Sequence, residues 1–297
     1  MHNFTLVTEF LLTRFSDDWE YRVLHAILFL LMYLATLMGN FLIVTVTSLD
    51  KKLHTPMYFF LRNLSVLDLY CISVTVPKTC VIFLLDNKAI LMVGCAAQIF
   101  FVLLFSPTEL LHLTIMACDH YVAICQPLHY PMLMNPQVCV QMTLFSVVSS
   151  IVYAGFHMGS IFWLPFCQSN MVHQFFCDAP SLLKLYCSDT LSNQILIFIS
   201  SVVVAGGSLS FITISYIHIK AFFTCVPHIL MVTIFVSVYM KPITSSPAIQ
   251  DRISVFSSIV PPFLKSYYLY SLRNKQQKIS IQESDRIIIS RVSYADD

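Results

Sequence analysis

Long apolar stretches broken by short polar ones set the rhythm of this 297-residue chain. A helix needs about 20 mostly apolar residues to cross a hydrocarbon layer of roughly 30 Å. Seven stretches approach that length: Val23 to Ser48, Met57 to Leu84, Leu91 to Cys125, Val138 to Leu164, Leu191 to Ile217, Ala221 to Met240 and Ile253 to Tyr270. The first five are continuous. The sixth barely reaches the length, and the seventh is interrupted by Pro261, Pro262 and Lys265. None shows the alternation of a barrel strand, and backbone amides in lipid must be satisfied within their own segment, so helices are predicted throughout. The pattern predicts an all-α membrane protein: a seven-transmembrane helix bundle over residues 23–270, an N-terminal tail of residues 1–22 and a C-terminal tail of residues 271–297.

Composition agrees with this pattern. The chain is 57% apolar and 11% charged, against about 25% charged in ordinary soluble domains. Its mean hydropathy of +0.74 calls for lipid as the solvent of the excess apolar surface. A net charge of +1 supplies no electrostatic case for nucleic acid as a partner. The first residues, MHNFTLVTEF, lack a basic start followed by an apolar core, so the first span is expected to act as its own insertion signal. In the C-terminal tail, Ser271 to Lys278 could lie as a short helix on the membrane, and the remainder is charged and mixed.

Orientation is not decided by the lysine and arginine bias. Lys51, Lys52, Arg62, Lys220, Arg273, Lys275 and Lys278 fall on one side, and Arg14, Arg22, Lys78, Lys88, Lys184, Lys241 and Arg252 on the other. Two other features favour an external N-terminus and a cytoplasmic C-terminus. Asn3-Phe4-Thr5 is a glycosylation acceptor, useful only if translocated. Of ten cysteines, Cys95, Cys167, Cys177 and Cys187 sit in or beside the loops this topology puts outside, where disulfides persist. Four cysteines allow three pairings, and sequence alone does not choose among them.

Polar residues at membrane depth are the candidate chemistry. Asn40, after Gly39 in the first span, and Asp68 in the second are costly there unless paired or hydrated. Two readings stand together: an interior functional site, or hydrogen bonds that hold neighbouring helices. No HExxH, GxSxG or P-loop string occurs, and no metal site or cofactor is expected. Cys118, Asp119 and His120 are adjacent on a helix and so face different ways, which argues against a nucleophile and its base.

Several strings, in order and spread over nearly the whole chain, carry a family resemblance: LHTPMYFFLRNLSVLD (53–68), MACDHYVAICQPLHYP (116–131), HQFFCDAPSLLKLYCSDT (173–190), SYIHI (215–219), KAFFTCVPH (220–228), PPFL (261–264) and YSLRN (270–274). The chain resembles the olfactory receptors, rhodopsin-like receptors that couple to G proteins. The resemblance implies an odorant receptor in the cell membrane, with a small hydrophobic odorant and a heterotrimeric G protein of the olfactory, cyclic-AMP-raising type as partners. It pairs Cys95 with Cys177 and Cys167 with Cys187. It makes Asn40 and Asp68 part of a polar core, and Asp119, His120 and Tyr121 the coupling site. It places Val102, Leu103, Ser106, Leu110, Ser200, Val204 and Tyr239 around the odorant. Without it, the face carrying Val102, Leu103, Ser106 and Leu110 reads as helix packing sooner than as a pocket wall.

The chain also departs from the family's pattern. His120 stands where most members have arginine, and Cys118 where they have tyrosine. Histidine is shorter and, unperturbed, mostly neutral near pH 7, so it cannot supply arginine's permanent charge and planar fork of donors. Between Ile219 and Lys220 about fifteen residues of the usual pattern are absent, and about four more within the sixth span. Lys265 to Tyr270 replaces the family's Asn-Pro-x-x-Tyr. These changes keep a second expectation open, a receptor remnant that is poorly trafficked and does not signal. A transporter or channel fits less well, since inverted repeats are lacking and few charges line a possible pathway.

Overall fold

The computed structural model describes residues 9–12, 19–50, 53–85, 89–163, 171–172, 177, 179–183, 185–186 and 191–219. The sixth and seventh predicted spans, 221–240 and 253–270, the C-terminal tail, Asn3, Cys167, Cys187 and Tyr239 lie outside the described residues.

Five long helices coincide with the first five predicted spans: α1 (Trp19–Leu49), α2 (Pro56–Leu85), α3 (Met92–Cys125), α5 (Pro136–Phe162) and α7 (Leu191–Ile219). Each is long and apolar enough to cross a membrane. Two short helices, α4 (Tyr130–Leu133) and α6 (Ala179–Leu183), lie in the connections. Two helix starts differ from the predicted ones. α5 starts two residues before Val138, because Asn135 Oδ1 accepts the Val138 amide hydrogen at 2.9 Å and Pro136 fits the first helical position. α1 begins at Trp19 rather than Val23, extending the helix four residues into the expected tail.

α3 is the central mast. Half of its most apolar window is buried, against 17% of that of α1, and it packs against α2, α5 and α7 while α1 packs against α2. The outward faces are apolar, as Leu31, Met38 and Phe41 on α1 and Phe145, Val152 and Phe156 on α5 illustrate. Polar side chains inside the helices are served locally. Thr36, Thr47, Thr108 and Ser215 each donate to the carbonyl four residues back, which satisfies a hydroxyl without water. One buried cluster, around Phe60, Leu64, Leu113, Met116, Cys139 and Ile212, joins α2, α3, α5 and α7.

The other large cluster holds a cap to the end of α3 that carries Cys95. A small sheet, absent from the all-α expectation, forms there from β1 (Glu9–Leu12), β2 (Ala89–Leu91) and β3 (Met171–Val172). β1 is its central strand, antiparallel to β2 with Phe10 opposite Ile90, and parallel to β3 with Leu11 opposite Met171. The expected tail of residues 1–22 therefore includes a structural element. Phe10 is fully buried in a cluster with Ile90, Cys95, Cys177, Leu182, Leu183, Leu185 and Tyr186. A disulfide between Cys95 and Cys177, with Cα atoms 5.3 Å apart, closes a separation of 82 residues. The Cys177 amide also donates to Gln98 Oε1 at 3.0 Å, so a buried glutamine one turn along α3 holds the same loop.

Phe10→Ala should empty this cluster's centre. Loss of a buried phenylalanine costs about 3 kcal/mol or more, so the midpoint of thermal unfolding of the purified receptor should fall by several degrees. A Phe10→Leu variant should recover most of the loss.

Candidate ligand cavity and the Asp119 end of α3

Below the cap, three helices leave a small cavity between them. Its walls are Leu103, Ser106, Pro107 and Leu110 of α3, Tyr153 of α5, and Ser201 and Val204 of α7. Positions 103, 106, 107 and 110 share one helical face. The cavity volume is about 10 Å3, near the room one water molecule needs. Leu103, Ser106, Leu110 and Val204, singled out in the sequence, meet here. Val102 is half-buried on α3 and Ser200 is half-buried on α7, and neither is among the walls.

Ser200 instead joins a polar seam between α5 and α7. The Tyr153 hydroxyl lies 3.2 Å from Ser200 Oγ and 3.4 Å from Ser201 Oγ, and His157 Nε2 lies 3.0 Å from Ser200 Oγ. His157 is buried, with its ring edge-on to Tyr153 at 4.4 Å between centroids. Sequence reasoning missed Tyr153, His157, Ser201 and Pro107. Polar or proline residues inside apolar runs were the available signal, but their facing across two helices was not.

Asn40 and Asp68 are both fully buried, on α1 and α2. Asn40 Nδ2 donates to the Thr36 carbonyl at 3.1 Å, a bond within its own helix. Among the described residues, Asn40 Oδ1 and the hydroxyl of buried Ser65 have no hydrogen-bond partner. No cluster of metal-ligating side chains occurs among the described residues.

The far end of α3 carries Asp119, His120 and Tyr121. Asp119 is buried, and Oδ1 accepts from the Tyr130 hydroxyl at 3.0 Å. Burial first, then the charge of Asp119 and the bond to it, push the Tyr130 phenol well above its ordinary value, so it stays protonated and donates at physiological pH. His120 Nδ1 lies 2.8 Å from the Met116 carbonyl. A carbonyl only accepts, so that nitrogen carries a hydrogen, and the ring is turned back along its own helix. Tyr121 is half-buried. The acidic residue is thus held by a phenol from α4. Deeper in α3, buried His112 bridges to α5: Nδ1 lies 2.8 Å from the Thr108 carbonyl and 3.3 Å from Ser146 Oγ.

Comparison with known proteins fits this arrangement. The family described as "7 transmembrane receptor (rhodopsin family)" matches residues 39–224. Olfactory receptor 14C36 of Homo sapiens is 54% identical, over 100% of this chain and 99% of the relative. Olfactory receptor 14A16 is 44% identical over 95% of this chain and 96% of its own length, and olfactory receptor 14L1 is 42% identical over 94% and 92%, both from Homo sapiens. The alignment with 14C36 runs over 315 positions against 297 residues here, so at least 18 of its positions have no counterpart in this chain. That shortfall is close to the combined gaps read between Ile219 and Lys220 and within the sixth span. The chain belongs to the rhodopsin-family seven-transmembrane receptors and, within them, to the olfactory receptors, signalling proteins of the cell membrane rather than enzymes.

Proposed function

We propose that this olfactory receptor takes a small, mostly apolar odorant between α3, α5 and α7 and passes the change along α3 to a cyclic-AMP-raising G protein. The N-terminus and the cap face outward, the C-terminal tail of residues 271–297 faces the cytoplasm, and lipid surrounds the domain of residues 23–270. Asn3 is its glycan acceptor, and Cys167 pairs with Cys187. Leu103, Ser106, Leu110 and Val204 contact the odorant directly. Val102, Ser200 and Tyr239 border it, and Asn40 and Asp68 form the polar core that responds to its arrival.

The observation that carries this reading is the placing of cavity and inner-end site on one helix. At 1.5 Å per residue, Leu103 lies about 12 Å along α3 from Cys95, and Asp119 about 36 Å. Small-molecule pockets typically enclose about 300 Å3 or more. An odorant therefore favours a state in which the walls of this narrow space have moved apart. Binding shifts the equilibrium toward that state in proportion to its preference for it. At the inner end the same shift acts on Asp119, Tyr130 and the turned-back His120, where Asp119, His120 and Tyr121 meet the G protein.

Surface labelling of an N-terminal epitope on the full chain, combined with a cyclic-AMP reporter and an odorant panel, tests the proposal. The expected result is a surface signal and a concentration-dependent rise with at least one small apolar odorant. Leu103→Trp, which fills the cavity, should raise the half-maximal concentration about tenfold or more, equivalent to about 1.4 kcal/mol, with surface labelling unchanged. His120→Arg alone should alter the maximal response by less than about twofold, since Tyr130 already holds Asp119. Intracellular retention even with transport chaperones would favour the remnant reading. Surface protein silent to the whole panel would overturn signalling.

A further inference from the structure

The hydrogens of the α5–α7 seam are nearly all accounted for. Ser200 Oγ and Ser201 Oγ lie 3.0 and 2.7 Å from the Ile197 carbonyl, which can only accept, so both serine hydrogens are committed there. The Ser200 oxygen then accepts, from His157 Nε2 at 3.0 Å and the Tyr153 hydroxyl at 3.2 Å. The Ser201 oxygen accepts from the same hydroxyl at 3.4 Å. This assignment puts the His157 hydrogen on Nε2 and leaves buried Nδ1 bare, consistent with its lack of a partner among the described residues. Tyr153 has one hydrogen, shared between two serines. Its oxygen keeps lone-pair capacity that no described residue fills.

Tyr153 and Ser201 are both walls of the cavity. On the opposite wall, Pro107 has no amide hydrogen to return to the Leu103 carbonyl, so α3 presents a backbone acceptor relieved of its usual donor. Ser106 makes no hydrogen bond among the described residues, and its hydroxyl can give or take one. The apolar cavity is therefore richer in unfilled acceptors than in donors.

Resting on the reading of this cavity as the ligand site, we infer that Tyr153 forms a polar subsite that accepts a hydrogen bond from a ligand hydroxyl. The receptor then selects small alcohols or phenols over ethers and ketones of the same size. A hydroxyl serves both walls, donating to Tyr153 and accepting from Ser106. An ether or a ketone can only accept, and leaves the Tyr153 oxygen without a donor from the ligand.

The test uses the purified full-length receptor in detergent, and thermal unfolding midpoints measured against rising concentrations of three probes. These are a medium-chain primary alcohol and the methyl ether and ketone of equal chain length. Ligand-dependent midpoint shifts give apparent Kd values without any signalling step. The alcohol is expected to bind about fivefold more tightly than the ether, the size of one neutral hydrogen bond. Tyr153→Phe should erase that gap and leave ether affinity unchanged, whereas Ser106→Ala should weaken alcohol and ketone alike. Equal affinities in the unmodified receptor, a gap that survives Tyr153→Phe, or no shift with any probe would overturn the inference. The unmodified receptor decides the matter even if Tyr153→Phe fails to fold. A receptor silent in the cyclic-AMP assay that still shows the gap would defeat the signalling proposal and leave this subsite standing.

Discussion

The bond between Cys95 and Cys177 fixes where the cap sits on the bundle, and the rest of the structure at that end of α3 depends on it. Between helices in lipid, water supplies no hydrophobic drive, so position comes from close packing, a few polar contacts and covalent ties. Cys95 lies near the start of the most buried span, and Cys177 lies in the loop that carries α6. The same loop is held again by its amide on Gln98. With that loop fixed, Leu182, Leu183, Leu185 and Tyr186 have a buried place, and Phe10 brings the N-terminal strand into the same cluster. Closing a loop of this length is worth about 4 kcal/mol in the chain-entropy model.

From the cap, α3 runs past the cavity walls to Asp119, so one helix carries both the cavity face and the Asp119 site. Its Cys95 half faces Tyr153, Ser201 and Val204, and its other half meets α4 through the bond from Tyr130. A helix held at both ends and packed on α2, α5 and α7 has few ways to respond to a ligand between its neighbours. In the proposed mechanism, small displacements of its walls are carried along it to Asp119 and His120.

The five described spans were legible because their signal is local: about twenty apolar residues in a row mean a crossing whatever surrounds them. Helix starts could be read less closely, since the capping of α5 by Asn135 is a side-chain choice rather than a hydropathy step. The sheet was not legible. EFLL at residues 9–12 is too short to declare itself a strand, and its partners lie about 80 and 160 residues away. Membrane-depth polar residues drew attention to Asn40 and Asp68, and both are buried. The partners of such residues stayed hidden. Nothing local in the sequence says that Tyr130 reaches back eleven positions to Asp119, or that Tyr153 meets two serines nearly fifty positions on.

Hydrogen–deuterium exchange on the full receptor, with and without paired substitution of Cys95 and Cys177 by alanine, tests the dependence on that tie most directly. If the tie fixes the cap to α3, exchange should rise in residues 9–12, 89–91 and 177–186 and in the first turns of α3. The opposite end around Asp119 and Tyr130 should stay protected. Unchanged protection in the cap, or a uniform rise across all five described spans, would contradict the account.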